Sequence, residues 1–145
     1  MKAIRNMLIG AVILSVITLP AYAQDTSLFG VWRGQVTMPG AGGLQVLISM
    51  EQIFQPNGQF SSITESRYGN GPAAGRMIGA LQEQGTYQAD PNQGVLSLHI
   101  MKHTATSKTT VPTDEYDHYH FSSPDSFVMQ SLDGGPLITF VRAQQ

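Results

Sequence analysis

From Gly30 onward apolar and polar side chains alternate: Trp32, Val36 and Met38 fall on one side of an extended chain, Arg33, Gln35 and Thr37 on the other. A period of two belongs to a strand with one buried face, so residues 28–38 are predicted as the first strand. The pattern recurs over residues 44–54, where Leu44, Val46, Ile48, Met50 and Phe54 share a face and Gln52 interrupts the apolar row. Asn57-Gly58 is a tight hairpin signal leading into a third strand at 59–65. Further strands are predicted at 78–87, 95–101, 115–121, 126–132 and 137–142, separated by breaker clusters rich in Pro, Gly, Asn and Asp. Residues 66–79 are too glycine-rich and polar for a regular element and form the longest connection, of the kind used as a lid, a binding loop or a mobile insertion. Residues 104–112 read as a Thr/Ser/Lys connection without apolar periodicity.

Eight short strands without a convincing helix among them predict an up-and-down barrel or a sandwich, and the count favours closure. Closure also removes exposed sheet edges, which a chain with no cysteine cannot protect by cross-linking. An eight-stranded interior is either just filled by side chains or holds one small ligand.

The first 23 residues stand apart. Lys2 and Arg5 precede an apolar run from Met7 to Leu19, and Ala21-Tyr22-Ala23 follows, the layout of a secretory signal-peptide helix cleaved after Ala23. The run is shorter than the roughly 20 apolar residues that cross a bilayer, so no membrane span is expected after cleavage, and the expected location is periplasmic or secreted. Cleavage leaves residues 24–145, one domain by the prior of roughly 100–200 residues per domain. The chain carries a net charge of −2, and losing Lys2 and Arg5 makes it more negative. With no basic run there is no electrostatic footprint for nucleic acid.

The only tryptophan, Trp32, stands two residues after Gly30, and Arg142 lies in the last predicted strand. In a closed barrel the first and last strands are neighbours, so Arg142 is expected to cover the indole and fasten the two ends, a cation–π contact contributing about 0.5–2 kcal/mol. In Gly30-x-Trp32 and Arg142 the chain resembles the lipocalin-like, or calycin, barrels, whose first strand carries Gly-x-Trp and whose last element carries an arginine packed across that Trp. The likeness in strand layout runs from Phe29 to Arg142. The disulfide and external helix of larger lipocalins are missing, which implies a minimal version of the fold. Periplasmic metalloprotease inhibitors with a small eight-stranded barrel look similar in size and opening, but usually carry a disulfide.

Candidate chemistry is sparse. In the run from Asp114 to His120, alternation puts Tyr116, His118 and His120 on one face and Glu115, Asp117, Tyr119 and Phe121 on the other. His118 and His120, joined by His99 from a neighbouring strand, could bind zinc or copper; the plainer alternative is a set of solvated cross-strand polar pairs. There is no Gly-x-Ser-x-Gly, no cysteine nucleophile and no Ser-x-x-Lys. Glu51, Glu65, Glu83 and Asp117 could supply paired carboxylates, but their positions give no spacing argument for an enzyme, and no cofactor is called for. Methionines at strand positions fill irregular cores by default. The sharper reading is an apolar cavity lined by Trp32, Met50, Phe54, Phe60, Tyr87, Leu98, Met129 and Phe140, suited to a small hydrophobic or amphipathic ligand. The expectation is therefore a lipocalin-like binder without chemistry. Its competitors are a protein-binding envelope module, inhibitor-like in shape, and a metal-binding protein using His99, His118 and His120.

Overall fold

The computed structural model describes residues 24–104 and 111–144. The expected signal segment at 1–23, and most of the connection expected at 104–112, lie outside the described residues.

Eight antiparallel strands close into one barrel in sequence order: β1 (Gly30–Pro39), β2 (Gln45–Phe54), β3 (Gln59–Tyr68), β4 (Met77–Asp90), β5 (Val95–Thr104), β6 (Thr113–Ser123), β7 (Ser126–Ser131) and β8 (Ile138–Arg142). The expected all-β up-and-down barrel is the observed fold. The seam is β1 on β8, with Trp32 opposite Arg142 and Gly34 opposite Phe140. Several strands run past their predicted ends. The longest predicted connection shrinks most, because β3 continues to Tyr68 and β4 begins at Met77. The ladder absorbs a register shift between Ser66 and Arg67 there, so residues that look like loop from composition still pair.

Alternation places one face of every strand inside. The buried core is Leu28, Trp32, Phe54, Phe60, Tyr87, Ala89, Leu96, Leu98, Ile100, Tyr119, Phe127, Met129 and Phe140. Most of its aromatic rings gather towards one end of the barrel. Phe127 meets Trp32 edge-on at 4.8 Å between centroids and stacks on Phe140 at 5.0 Å, while Phe54 meets Tyr87 edge-on at 4.9 Å. Such pairs add about 0.5–1.5 kcal/mol each beyond the area they bury. This end is filled.

A short 3-10 turn, Thr26–Leu28, plugs it from below. Asp25 caps the turn through the Ser27 amide and accepts a 2.8 Å hydrogen bond from the Tyr119 hydroxyl, tying the plug to the wall of β6. Leu28 is fully buried, and its carbonyl accepts the Trp32 indole N–H at 2.7 Å, which satisfies the one polar atom of that side chain. The Arg142 guanidinium lies 4.2 Å from the Trp32 ring centroid. It also donates to the carbonyls of Phe29 at 2.6 Å, Ser27 at 3.0 Å and Pro124 at 3.2 Å and to the Asp125 carboxylate at 3.0 Å, so one side chain joins the plug, the β6–β7 turn and the seam.

Candidate functional site

The opposite end of the barrel is built differently. Strand register sets Gln52 of β2 beside Ser62 of β3, and Ser62 beside Glu83 of β4, all on inward-facing positions. Across the lumen β6 turns Asp117 inward, with Glu115 one inward position nearer the rim; their partners on β5 are Leu96 and Leu98. Above the aromatic floor these side chains border a cavity of about 270 Å³, which Met50, Leu98, Met129 and Ile138 line on its apolar sides. The β7–β8 connection, including Asp133 and Gly134-Gly135-Pro136, lies along its rim. At the ~30 Å³ a water occupies in the liquid, this space takes about nine waters or a ligand of comparable size.

The polar lining is unevenly satisfied. The Ser62 hydroxyl donates to Glu83 at 3.2 Å. Gln52 is 3% exposed, yet among the described residues no donor reaches its buried Oε1. A buried acceptor left without a partner costs on the order of 1–3 kcal/mol. Asp117 is 7% exposed, and burial pushes its carboxyl up to about 6. Glu115 is also pushed up, first by burial and then by the charges of Glu83, Asp117 and Asp133. Four carboxylates thus border one small space. The ion pairs Arg33–Glu51, Arg67–Glu65, His99–Asp114 and Arg142–Asp125 involve none of these four, and His103 of β5 stands opposite Glu83.

The expected ligand-lining residues divide between the two ends. Met50, Leu98 and Met129 border the cavity. Trp32, Phe54, Phe60, Tyr87 and Phe140 belong to the packed core, all but Phe60 in the aromatic contacts described for it or in the Trp32–Arg142 stack. Gly30, Trp32 and Arg142 form the seam.

No protein-family model and no curated protein matches this chain.

The three histidines are not brought together. His99 sits opposite Asp114, whose carboxylate it meets, whereas His118 sits opposite Val95, four positions further along the same pair of strands. At ~3.3 Å per residue that offset separates the two imidazoles by roughly 13 Å along the ladder. All three side chains face outward, and among the described residues no group of three His, Asp or Glu is placed to hold a metal ion. The expected metal site fails on register, which the spacing along a single strand does not report.

Of the four carboxylates weighed as pairs, Glu83 and Asp117 share the cavity. Glu51 and Glu65 lie outside, held by Arg33 at 2.8 Å and Arg67 at 3.0 Å. A larger concavity of about 650 Å³ runs over the outer face of β8, β1, β2 and β3, between Ile63, Val141 and the Arg33–Glu51 pair. It is a shallow groove whose charges already satisfy one another, so the smaller interior space is the better candidate. Sequence reading missed Ser62 and Glu115 as site residues. The available signals were Gln52 breaking an apolar row and Asp117 sharing a face with Tyr119 and Phe121.

Proposed function

We propose that this chain is a lipocalin-like barrel, exported to the periplasm or beyond, that holds one small amphipathic molecule in the mouth of its lumen and does no chemistry on it. The observation that carries the reading is the contrast between the two ends. One is packed with aromatic rings, whereas the other keeps about 270 Å³ bordered by Met50, Leu98, Met129 and Ile138 on some sides and by Gln52, Ser62, Glu83 and Asp117 on others. Sites for small amphipathic molecules set apolar walls beside convergent polar groups, and this space has the two in similar measure. The volume falls just below the usual ~300–1,000 Å³, which favours a compact ligand over a long-chain lipid or a macrocycle. The lipocalin-like assignment is supported by the closed eight-stranded meander and by Arg142 stacked on Trp32 behind Gly30.

Displacement of a polarity-sensitive dye by a panel of small amphiphiles tests this function, with Ile138→Trp as the filling variant. The expected result is displacement from the native protein and none from Ile138→Trp, with both melting cooperatively. A variant that is folded and displaces equally well overturns the assignment of the site to this cavity.

A further inference from the structure

Asparagine followed by glycine occurs twice in the chain, at Asn57-Gly58 and Asn70-Gly71, and the fold treats the two pairs differently. In such a pair the glycine has no Cβ to keep its backbone nitrogen away from the asparagine side-chain carbonyl. Asn57 lies in the β2–β3 turn, where the Gly58 amide donates to the Gln55 carbonyl at 3.0 Å. Asn70 follows the end of β3, and the Gly71 amide donates to no acceptor among the described residues, on a residue exposed to water. The two side chains are held alike. Asn57 exchanges hydrogen bonds with Gln59 through both ends of its amide. Asn70 clasps two hairpin tips: its Oδ1 accepts the Gln45 amide at 2.8 Å and its Nδ2 donates to the Gly43 carbonyl at 3.3 Å. Restraint of the side-chain amide therefore does not separate the sites, and exposure alone favours Asn57, since Asn70 is half-buried. What separates them is the backbone nitrogen, engaged at Gly58 and open at Gly71.

We propose that Asn70 is the site at which the folded chain deamidates, and that the reaction opens the clasp between the β1–β2 and β3–β4 turns. The Gly71 nitrogen gives its proton to water or hydroxide and bonds to Asn70 Cγ. Charge builds on Oδ1, where the Gln45 N–H already points, in the manner of an oxyanion donor. The Cγ–Nδ2 bond then breaks, and the nitrogen takes up a proton and leaves as ammonia. Water opens the resulting five-membered imide at either carbonyl, giving aspartate or isoaspartate, so one water enters and one ammonia departs with nothing oxidised or reduced. Gly58 cannot begin this sequence without first giving up its bond to Gln55. In the product a carboxylate oxygen replaces the Nδ2 donor, so the Gly43 carbonyl loses its partner and meets an anion instead.

The test is incubation of the full chain at mildly alkaline pH, folded and in concentrated urea, with peptide mapping by mass spectrometry to follow replacement of NH2 by OH at each asparagine. In the folded protein Asn70 should convert up to about tenfold faster than Asn57, the factor to which one backbone hydrogen bond broken ahead of attack corresponds. In urea neither glycine is held, and the two rates should converge. Equal rates in the folded protein, conversion of Asn70 only in urea, or a preference for Asn70 that survives unfolding each overturns the proposal. Asn70→Asp reproduces one product without the incubation. The amides of Gly40 and Leu44, which close the β1–β2 turn, should then exchange with solvent about fivefold faster than in the native protein, while those of the Trp32–Arg142 seam are unchanged. Unaltered exchange at Gly40 and Leu44 would show that the clasp survives the modification, against the second half of the proposal.

Discussion

Gly30 leaves the space in which Arg142 works: a Cβ at position 30 would stand 2.9 Å from one of the guanidinium Nη atoms, and the Gly30 φ of +126° is one that side-chain-bearing residues rarely adopt. The far end of an arginine usually moves aside at little cost. Here it is held by three carbonyls, a carboxylate and the face of Trp32, so yielding means breaking the seam. Gly30→Ala should therefore lose about 2–4 kcal/mol of stability, from backbone strain of about 1–3 kcal/mol together with loosened arginine contacts. Denaturant unfolding monitored by Trp32 emission measures it; a loss under 1 kcal/mol would show that the guanidinium is not fixed.

Arg142→Lys keeps the charge and discards the geometry. A lysine ammonium has no planar fork to lie flat on an indole while reaching the carbonyls of Ser27, Phe29 and Pro124. The variant should lose roughly 1–3 kcal/mol and shift Trp32 emission to longer wavelength as water reaches the indole. Arg142→Ala should cost more, because the Phe29, Ser27 and Pro124 carbonyls lose their shared donor and the Trp32 face its cover. Lysine matching the native protein in unfolding midpoint would mean that charge alone holds the seam.

Gly85 sits at the β4–β5 register shift, where a Cβ would fall 1.9 Å from the His99 carbonyl oxygen. Backbone cannot retreat as a side chain can, so Gly85→Ala must open the ladder or the bulge itself. A loss above about 3 kcal/mol, or failure to fold, is expected. Gly79 on the same strand has nothing within 4 Å of its would-be Cβ and no positive φ. Gly79→Ala should be neutral or stabilising by up to about 1 kcal/mol. Comparing the two melting temperatures separates the close approach from a general effect of alanine in β4.

The barrel was legible because alternation and turn chemistry are local properties. Trp32, Phe54, Leu98 and Phe140 announce inward faces within their own segments, and Asn57-Gly58 announces its hairpin; the order of strands then follows from short connections. The site was not legible in the same way. Gln52, Ser62 and Glu83 become neighbours only through the registers of two hairpins, and a change of one residue in either would turn a member outward. The histidines show the converse, since they are close in sequence pattern but four ladder positions apart in space. The closed strand of connection around 66–79 has a third cause: composition marks Gly69, Gly71 and Gly75 as loop but is silent on how far pairing continues on either side.

Asp117 offers a test of the cavity that needs no ligand. Its folded carboxyl is pushed from 3.8 up to about 6 by burial, so between those values the folded protein binds more protons than the unfolded chain does. Stability then falls as pH rises through this window, and the full cost is present above about 6. A shift near two units corresponds to on the order of 2–3 kcal/mol. Glu83, Glu115 and Asp133 face Asp117 around the cavity, with His103 next to Glu83 on β5, and Glu115 is displaced in the same direction, so the native slope contains more than one group. Asp117→Asn removes one of them. The variant should be more stable than the native protein at pH 7.5 by about 1–3 kcal/mol and should converge on it below pH 4. Urea unfolding of both proteins from pH 3.5 to 8 measures the difference at each pH. A constant difference across the range would mean that Asp117 titrates as an ordinary solvated carboxylate, and the cavity would then be wet and open in solution.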